Sequence, residues 1–133
     1  MRWLIDSDIL IEGEHGNPAF DVWSQTPNDE FATADIIRAE FLIGVHAVPD
    51  AKKRVRGESF YRDRISKIAS FSNEAADFEL AARLAGEARR NGKGNPSLVD
   101  GLLAAIAIRT GSKVATRNRK DFEAMGCPCT NPL

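Results

Sequence analysis

Cysteine and histidine are scarce in this sequence. It contains two of each, and the cysteines, Cys127 and Cys129, form a C-x-C pair with no histidine nearby. That spacing is not typical of a zinc site, so we expect two free thiols. No apolar run reaches the length of a membrane span, and acidic residues interrupt the beginning of the chain, where a signal peptide would be hydrophobic. We therefore expect a cytoplasmic protein without a membrane segment.

An excess of charge of either sign is also missing. The 18 Lys and Arg residues are matched by 19 Asp and Glu residues, which gives a formal net charge of -1. No global basic field therefore predicts a nucleic-acid partner, although a local cluster can still hold phosphates. With 43% hydrophobic and 28% charged residues, the chain has the composition of a soluble globular protein. Its length predicts one domain, residues 1–133, and the sequence contains no internal repeat or linker.

Short apolar runs alternate along the chain with longer segments of helical periodicity. The runs predict strands and the longer segments predict helices. We place strands near residues 3–5, 30–33, 70–72, 113–116 and 127–132, and helices near residues 9–14, 18–23, 35–48, 51–69, 73–92, 97–110 and 119–125. This alternation predicts an α/β fold with three layers, α/β/α, around a parallel sheet of about five strands.

Two of these helices have candidate N-caps, and one has a defined apolar stripe. Asp35 and Asn73 each precede a helical segment and are expected to cap it. The stripe predicted to pack in the helix after Asn73 consists of Phe78, Ala81, Ala82, Ala85 and Ala88.

The first apolar run, Trp3-Leu4-Ile5, ends abruptly in Asp6-Ser7-Asp8. In an open parallel sheet, ligands bind just beyond the carboxyl ends of the strands. Asp6, with apolar residues around it, is therefore placed to hold a metal. Ser7 or Asp8 can instead cap the next helix, and for Asp8 we favour the cap.

Glu40 stands out because apolar residues surround it in the helical register. Ile36, Ile37, Ile43 and Gly44 lie three or four positions away, which places the carboxylate on the packed face. Removing a charge from water without giving it a partner costs several kcal/mol, on the order of the desolvation penalty in a folded protein. Glu40 therefore requires either a basic partner in a buried ion pair or a metal.

Asp100 has two interpretations that the sequence leaves open. Leu103, Ala104 and Ala107 follow it at helical spacing, so Asp100 aligns with the packed face of its helix, near the strand ends. Ser97 and Asp100 also match a capping box, in which the acid returns a hydrogen bond to the cap residue.

The loop from Thr116 to Phe122 follows the fourth predicted strand. Asn118 can cap the next helix with Asp121 as its third residue, but the same loop can also bring a polar ligand or an acid to the sheet edge. Several acids at one edge repel each other unless cations neutralise them, and oxygen ligands select Mg²⁺ or Mn²⁺ over zinc. The chemistry expected of such a site is metal-assisted attack of water on a phosphodiester.

Four blocks in this order resemble the PIN-domain family, and most of all the VapC-type toxins of toxin–antitoxin pairs. The resemblance covers nearly the whole chain, and its blocks are residues 4–10, 39–45, 100–107 and 115–122. It implies a Mg²⁺- or Mn²⁺-dependent endoribonuclease with a Rossmann-like sheet, often a homodimer and silenced by a cognate antitoxin. By that pattern Asp6, Glu40 and Asp100 are the catalytic acids and metal ligands, and Thr116 is a polar support.

Three positions depart from the family pattern. Asp8 stands where Asn is commoner, and Ile37 stands where many members have a hydroxyl that supports the glutamate. Asn118 stands where some members carry a fourth acid, so either Asp121 compensates or the site works with three acids.

Basic and aromatic residues give two further expectations. Arg117 and Arg119 lie beside the predicted metal site and are expected to hold RNA phosphates, because binding follows the local potential. An antitoxin groove is predicted from Phe20, Trp23 and the exposed residues of the helix over residues 51–69, with Phe60 and Tyr61 as anchors.

Two other functions compete with the nuclease. Asp6 and Asp8 after a strand also resemble the first motif of haloacid-dehalogenase-like phosphatases, for which Lys113 is an available lysine, although no adjacent Asp-Asp pair follows. The other alternative is a non-catalytic interaction module whose acids bind a basic partner.

Overall fold

Five parallel strands form one sheet at the centre of the molecule. The computed structural model describes residues 1–133. The strands are β1 (Arg2–Ile5), β2 (Glu30–Ala34), β3 (Ala69–Phe71), β4 (Lys113–Ala115) and β5 (Cys129–Thr130). Their spatial order is β3-β2-β1-β4-β5, and every neighbouring pair is parallel. Because β1 is the central strand, its apolar residues are buried on both faces.

Helices cover both faces of this sheet and complete the predicted α/β/α architecture. They are α1 (Ser7–Glu14), α2 (Pro18–Trp23), α3 (Asp35–Ala47), α4 (Ala51–Asp63), α5 (Ala75–Arg90), α6 (Leu98–Thr110) and α7 (Arg119–Ala124). A single 3₁₀ turn, Ile65–Lys67, connects α4 to β3. None of the helices has the length and apolarity needed to cross a membrane.

The order in which the chain adds strands to the sheet reverses between β1 and β4. The chain runs outward from β1 through β2 to β3, and then returns to the other side of β1 with β4 and β5. A crevice opens at such a switch point, beyond the carboxyl ends of the two strands. Ile5 is paired with Ala115, so the residues that follow them, Asp6 and Thr116, meet at this crevice.

The most buried helix is α6. Every residue from Gly101 to Ala107 is buried, because α5 covers one side of the helix and β4 and α3 cover the others. Helices that are apolar all round occupy such interior positions. A Cβ atom on Gly101 would lie 2.9 Å from the carbonyl oxygen of Ala81, so the backbones of α5 and α6 are in close contact. The small residues of α6 therefore pack against a helix as well as against the sheet.

Two predicted N-caps are wrong. Asp35 is the first residue of α3 and makes no cap hydrogen bond; its carboxylate accepts hydrogen bonds of 2.6 Å from both Ser70 and Ser72. It therefore fastens α3 to the end of β3. In α5 the cap is Glu74, which forms a capping box with a later acid, and Asn73 only precedes it.

The packed stripe of α5 also differs from the prediction. Phe78 is 50% exposed, while Asp77, one residue earlier, is 3% exposed. The buried carboxylate accepts hydrogen bonds from Arg109 of α6 at 3.0 and 3.3 Å. This ion pair turns the helix so that Asp77 faces α6 and Phe78 faces solvent. The alanines at 81, 85 and 88 are buried as predicted, whereas Ala82 is exposed.

The charged helix predicted over residues 51–69 ends early, at Asp63. Arg38 of α3 donates from Nη2 to the carbonyl oxygens of Ile65, Ser66 and Ile68 at 3.3, 3.3 and 2.6 Å. These carbonyl groups turn toward a guanidinium instead of continuing the helical ladder, so a 3₁₀ turn replaces the last helical turns.

The aromatic residues proposed for an antitoxin groove belong largely to the core. Phe20 and Trp23 are 2% and 9% exposed, so neither offers much surface, although Phe20 and Phe60 line a cavity of about 560 Å³ next to Arg64. A partner at this cavity stays a prediction. Phe60 and Tyr61 are half-buried, and their rings lie 6.1 and 6.4 Å from the ring of Phe41. Contacts of this kind stabilise the monomer, because each ring has an aromatic neighbour inside the chain.

Candidate functional site

Asp6 is held firmly at the end of β1. The residue is 6% exposed, and its amide donates to the carbonyl oxygen of Ala115 at 3.0 Å. Its Oδ1 accepts the amide of Ser7 at 2.8 Å, and its Oδ2 accepts the hydroxyl of Thr116 at 2.8 Å. Asp6 is thus itself the N-cap of α1, a role that the sequence assigned to Ser7 or Asp8.

Asp8 does not cap α1, so that prediction is wrong. The residue lies in the first turn of the helix, and its carboxylate reaches the loop after β4. Its Oδ2 accepts the amide of Arg117 at 3.0 Å and lies 3.4 Å from the hydroxyl of Thr116. Its Oδ1 is buried and has no hydrogen-bond partner. Asp8 is the residue of this cluster that sequence reasoning underrated, and the departure from Asn at this position was the signal that could have identified it.

Burial and mutual repulsion shift the pKa values of these two carboxyl groups. Burial, followed by the charge of Asp8, raises the pKa of Asp6 from 3.8 to about 7. The hydrogen bonds from Thr116 and the Ser7 amide lower it, and the charge of Asp100 raises it further. Burial also raises the pKa of Asp8, against the lowering effect of the Arg117 amide. The surroundings therefore do not fully stabilise the negative charge of this cluster, and binding of a proton or a cation lowers its electrostatic energy.

Glu40 of α3 joins the cluster through Ser7, whose hydroxyl donates a short hydrogen bond to Oε1 of the glutamate. Glu40 forms no ion pair with any basic side chain, so the buried ion pair considered from the sequence does not exist. The buried residues of α3 are Ile37, Phe41 and Val45, whereas Ile43 is 69% exposed. The predicted burial of Glu40 is therefore only half right, since the residue lies at the border of the packed stripe. The supporting hydroxyl that Ile37 lacks is supplied by Ser7.

Asp100 occupies the third position of α6 and forms the predicted capping box. Its amide donates to the Ser97 hydroxyl at 3.1 Å, and its Oδ2 accepts the Ser97 amide at 3.0 Å. Its charge also acts on Asp6, as the raised pKa of Asp6 reflects. The two interpretations of Asp100 are thus compatible. One carboxylate oxygen completes the capping box of α6, and the negative charge of the group is close enough to the crevice to affect Asp6.

Asn118 and Asp121 bond to each other. Asn118 makes no cap hydrogen bond, contrary to prediction; its side-chain amide donates to Oδ2 of Asp121 at 3.0 Å. The other oxygen of Asp121 accepts the amide of Asn95 at 2.9 Å, which anchors the loop before α6. The acid that lies against Asp6 and Thr116 is therefore Asp8, and the catalytic role assigned to Asp121 stays a prediction.

The two arginines expected to bind RNA lie at the surface beside this cluster. Arg117 pairs with Glu12 at 2.7 Å and Arg119 pairs with Glu123 at 2.9 Å, and the two arginine side chains are 59% and 58% exposed. Exposed ion pairs contribute only about 0–1 kcal/mol, so either guanidinium can exchange its carboxylate for a phosphate.

Lys113, the lysine available to a phosphatase, lies at the opposite end of the sheet. It begins β4, and its Nζ is 5.8 Å from the centre of the Trp3 ring. The phosphatase alternative therefore lacks a lysine near Asp6 and Asp8.

The chemistry of the cluster suits a hard divalent cation. No three His, Cys, Asp or Glu side chains stand close enough to hold a metal ion as they are placed. Mg²⁺, however, usually binds through one or two carboxylates and keeps several waters. The donors near the crevice are carboxylate and hydroxyl oxygens, and one buried oxygen of Asp8 has no partner. Asp6, Asp8 and Thr116, with Glu40 and Asp100 beside them, fit Mg²⁺ or Mn²⁺ better than zinc.

A groove of about 600 Å³ begins at Glu40 and runs between α1, α3 and α4. Its walls are apolar and include Ile11, Phe41, Val45 and Val48. Basic side chains of α4 also line it, and one of them, Arg56, pairs with an acid of α1 at 2.9 Å. The acidic cluster and this groove are therefore continuous.

The family model of the PIN domain matches residues 3–126. The chain belongs to the PIN-domain family. This PIN-domain chain is 27% identical over 139 residues to the plasmid stability protein StbB of Pseudomonas syringae pv. tomato, an alignment that covers 97% of the chain and 96% of the relative. The family predicted from four short sequence blocks is confirmed.

Solved structures with the same fold come from several bacteria. FitAcB from Neisseria gonorrhoeae has a TM-score of 0.80 at 22% identity, covering 98% of this chain and 97% of that one. A toxin–antitoxin complex from Klebsiella pneumoniae has a TM-score of 0.70 at 23% identity, covering 98% and 97%. Mycobacterium tuberculosis VapC20, a Sarcin-Ricin loop cleaving toxin, has a TM-score of 0.63 at 17% identity, covering 94% and 95%.

Proposed function

We propose that this PIN-domain protein is a metal-dependent endoribonuclease and the toxin of a toxin–antitoxin pair. The observation that carries the proposal is the arrangement of Asp6, Thr116 and Asp8 at the switch point of the sheet, with Glu40 and Asp100 beside them. The names of its structural relatives support it, because they include a toxin–antitoxin complex and a toxin that cleaves the sarcin–ricin loop.

In this proposal Asp6, Glu40 and Asp100 hold Mg²⁺ or Mn²⁺, and a cation bound there stabilises the ionised form of Asp6. The metal supplies Lewis-acid activation of water and of the scissile phosphate. The other groups position these acids: Thr116 fixes one oxygen of Asp6, and Ser7 orients the carboxylate of Glu40. The burial of Asp6 strengthens these interactions, since bulk water is kept away from the carboxylate.

RNA is the proposed substrate, and Arg117 and Arg119 are its proposed phosphate contacts. Both guanidinium groups are exposed next to the loop that carries Thr116. Proteins that read RNA sequence take single strands or loops, whose bases can unstack. We therefore expect a single-stranded or loop substrate whose backbone is held by these arginines.

The proposed antitoxin occupies the groove between α1, α3 and α4. Its apolar walls suit an apolar segment of the partner, and the groove ends at Glu40, so a segment bound there blocks the acidic cluster. This surface replaces the aromatic groove expected from the sequence. A homodimer is also part of the proposal, and it would cover exposed apolar side chains of α5 and α6 such as Phe78 and Ile108, which are 50% and 47% exposed.

RNA cleavage in the presence and absence of metal tests the function. The wild-type protein should cleave a labelled loop RNA with Mg²⁺ or Mn²⁺, lose activity in EDTA and regain it when Mn²⁺ is added. Asp6→Asn and Asp100→Asn should be inactive, whereas Asp63→Asn, which changes an exposed acid of α4, should retain activity. Cleavage that persists in EDTA or in both site variants would refute the proposal.

Two other results identify the competing functions. Intact RNA with every metal, together with RNA or protein binding, would favour the non-catalytic module. Release of phosphate from a monoester through a trapped aspartyl-phosphate would favour the phosphatase.

A further inference from the structure

An acid, Asp8, and an amide, Asn118, both contact Thr116. The hydroxyl of Thr116 lies 3.4 Å from Oδ2 of Asp8 and accepts the backbone amide of Asn118 at 3.0 Å. Of these two neighbours of the hydroxyl, only Asp8 carries a charge.

The fold does not need a negative charge at position 8. Both hydrogen bonds of Asp8 are accepted by Oδ2, from the amide of Arg117 at 3.0 Å and, more weakly, from the hydroxyl of Thr116 at 3.4 Å. The carbonyl oxygen of an asparagine accepts the same bonds without a charge. The second oxygen, Oδ1, is buried without any partner, and a buried charged group that lacks donors is destabilising.

No basic side chain of the protein forms an ion pair with this carboxylate. The nearest candidate is Arg117, whose guanidinium contacts Glu12 at 2.7 Å. Asp8 takes part in no ion pair, and the Thr116 hydroxyl that lies 3.4 Å from its Oδ2 also donates to another acid, Asp6. The two carboxylates therefore lie next to each other where β1 and β4 end.

Asp121, three residues after Asn118, makes its contacts elsewhere. Its two oxygens accept hydrogen bonds from the side chain of Asn118 and from the backbone amide of Asn95 at 3.0 and 2.9 Å. These bonds fasten the loop before α6 to α7, and neither involves Asp6, Asp8 or Thr116.

We propose that Asp8 is a fourth acid of this site, beside Asp6, Glu40 and Asp100, with its unpartnered oxygen available to the divalent cation or to a water bound to it. The inference rests on the proposed metal-dependent function and deepens it. It assigns Asp8 a role in cation binding that its place at the start of α1 does not require.

Binding of Mn²⁺ to the whole chain, measured by titration calorimetry and by the electron paramagnetic resonance of free Mn²⁺, tests this inference without an activity assay. Asp8→Asn keeps the acceptor for Arg117 and the size of the side chain. We expect it to weaken Mn²⁺ binding by roughly 10- to 100-fold, as loss of a group next to a metal does. The matched control is Glu123→Gln, which removes an acid that is 55% exposed and pairs with Arg119. The control should bind Mn²⁺ like wild type.

The decisive quantity is the Mn²⁺ affinity at a temperature where circular dichroism shows each variant to be fully folded. An affinity of Asp8→Asn indistinguishable from that of wild type overturns the inference, and so does an equal loss in Glu123→Gln. If the wild-type protein itself binds no Mn²⁺, the proposed metal-dependent function fails, which is a different result from a wild-type protein that binds Mn²⁺ without the help of Asp8.

Discussion

Replacing Asp6 by Asn should change how the stability of the metal-free protein depends on pH. Burial and the charge of Asp8 raise the pKa of Asp6 from 3.8 to about 7. Between these two values the folded protein keeps a proton on Asp6 that the unfolded chain has lost. The free energy of unfolding therefore falls as pH rises through this window, and it is constant above it. An asparagine does not titrate, so the free energy of unfolding of the variant should not fall with pH in this way.

The magnitude follows from the width of the window. A shift from 3.8 to about 7 corresponds to about 4 kcal/mol at 1.36 kcal/mol per pKa unit. Between about pH 5 and about pH 8 the loss is about 2 to 3 kcal/mol, because only the part of the window between about pH 5 and about pH 7 contributes. The variant also rearranges the hydrogen bond with Thr116, which costs about 1 kcal/mol at every pH and cancels in the comparison.

Urea unfolding in EDTA at these two pH values measures the effect. Wild type should lose about 2 to 3 kcal/mol more than Asp6→Asn on going from the lower to the higher pH. Asp63→Asn, whose acid is 64% exposed, serves as the control and should follow wild type. Equal pH dependence in wild type and Asp6→Asn would refute the reasoning, since it would mean that Asp6 ionises in the folded protein as it does in the unfolded chain.

Three further outcomes are expected. Gly101→Ala should lower the free energy of unfolding by about 1 to 3 kcal/mol, because its Cβ would lie 2.9 Å from the backbone oxygen of Ala81; unchanged stability in urea unfolding would contradict the close packing of α5 on α6. Replacing both Arg117 and Arg119 by Ala should weaken RNA binding across sequences and flatten its salt dependence by about two units of slope at most, and an unchanged slope in binding titrations would show that neither touches the backbone. Burial raises the pKa of Cys127 to about 12, so iodoacetamide should label this thiol in urea but hardly at all in the native protein near neutral pH.

Local sequence patterns determined the order of the elements and several helix boundaries. The alternation of apolar runs with helical periodicity predicted a parallel sheet, and the structure has five strands close to the expected positions. The spacing of Ser97 and Asp100 predicted a capping box, which the structure confirms. Gly111 ends the same helix with a φ of 65°, in the left-handed conformation that favours glycine. These features are readable in advance because the residues involved are neighbours along the chain.

Contacts between distant segments decided what the sequence left open or misassigned. The packed face of α5 includes Asp77 and not the predicted Phe78, because Arg109 of another helix lies opposite Asp77. Asp35 does not cap α3 as predicted but accepts hydrogen bonds from Ser70 of β3 and from Ser72 just after it, since side-chain oxygens bond to whichever donors the fold brings within reach.

The candidate site depended most on the tertiary structure. Sequence named Asp6 and Thr116 separately, but the pairing of β1 with β4 brings them into a hydrogen bond across 110 positions of the chain. The same strand pairing places Asp8, which was expected to be a cap, at the crevice. One of its oxygens accepts the amide of Arg117, and the other is buried without a partner. Periodicity and spacing specify which face of an element a residue occupies, whereas the register between strands specifies which charges must share a site. That register is set by packing of the whole core.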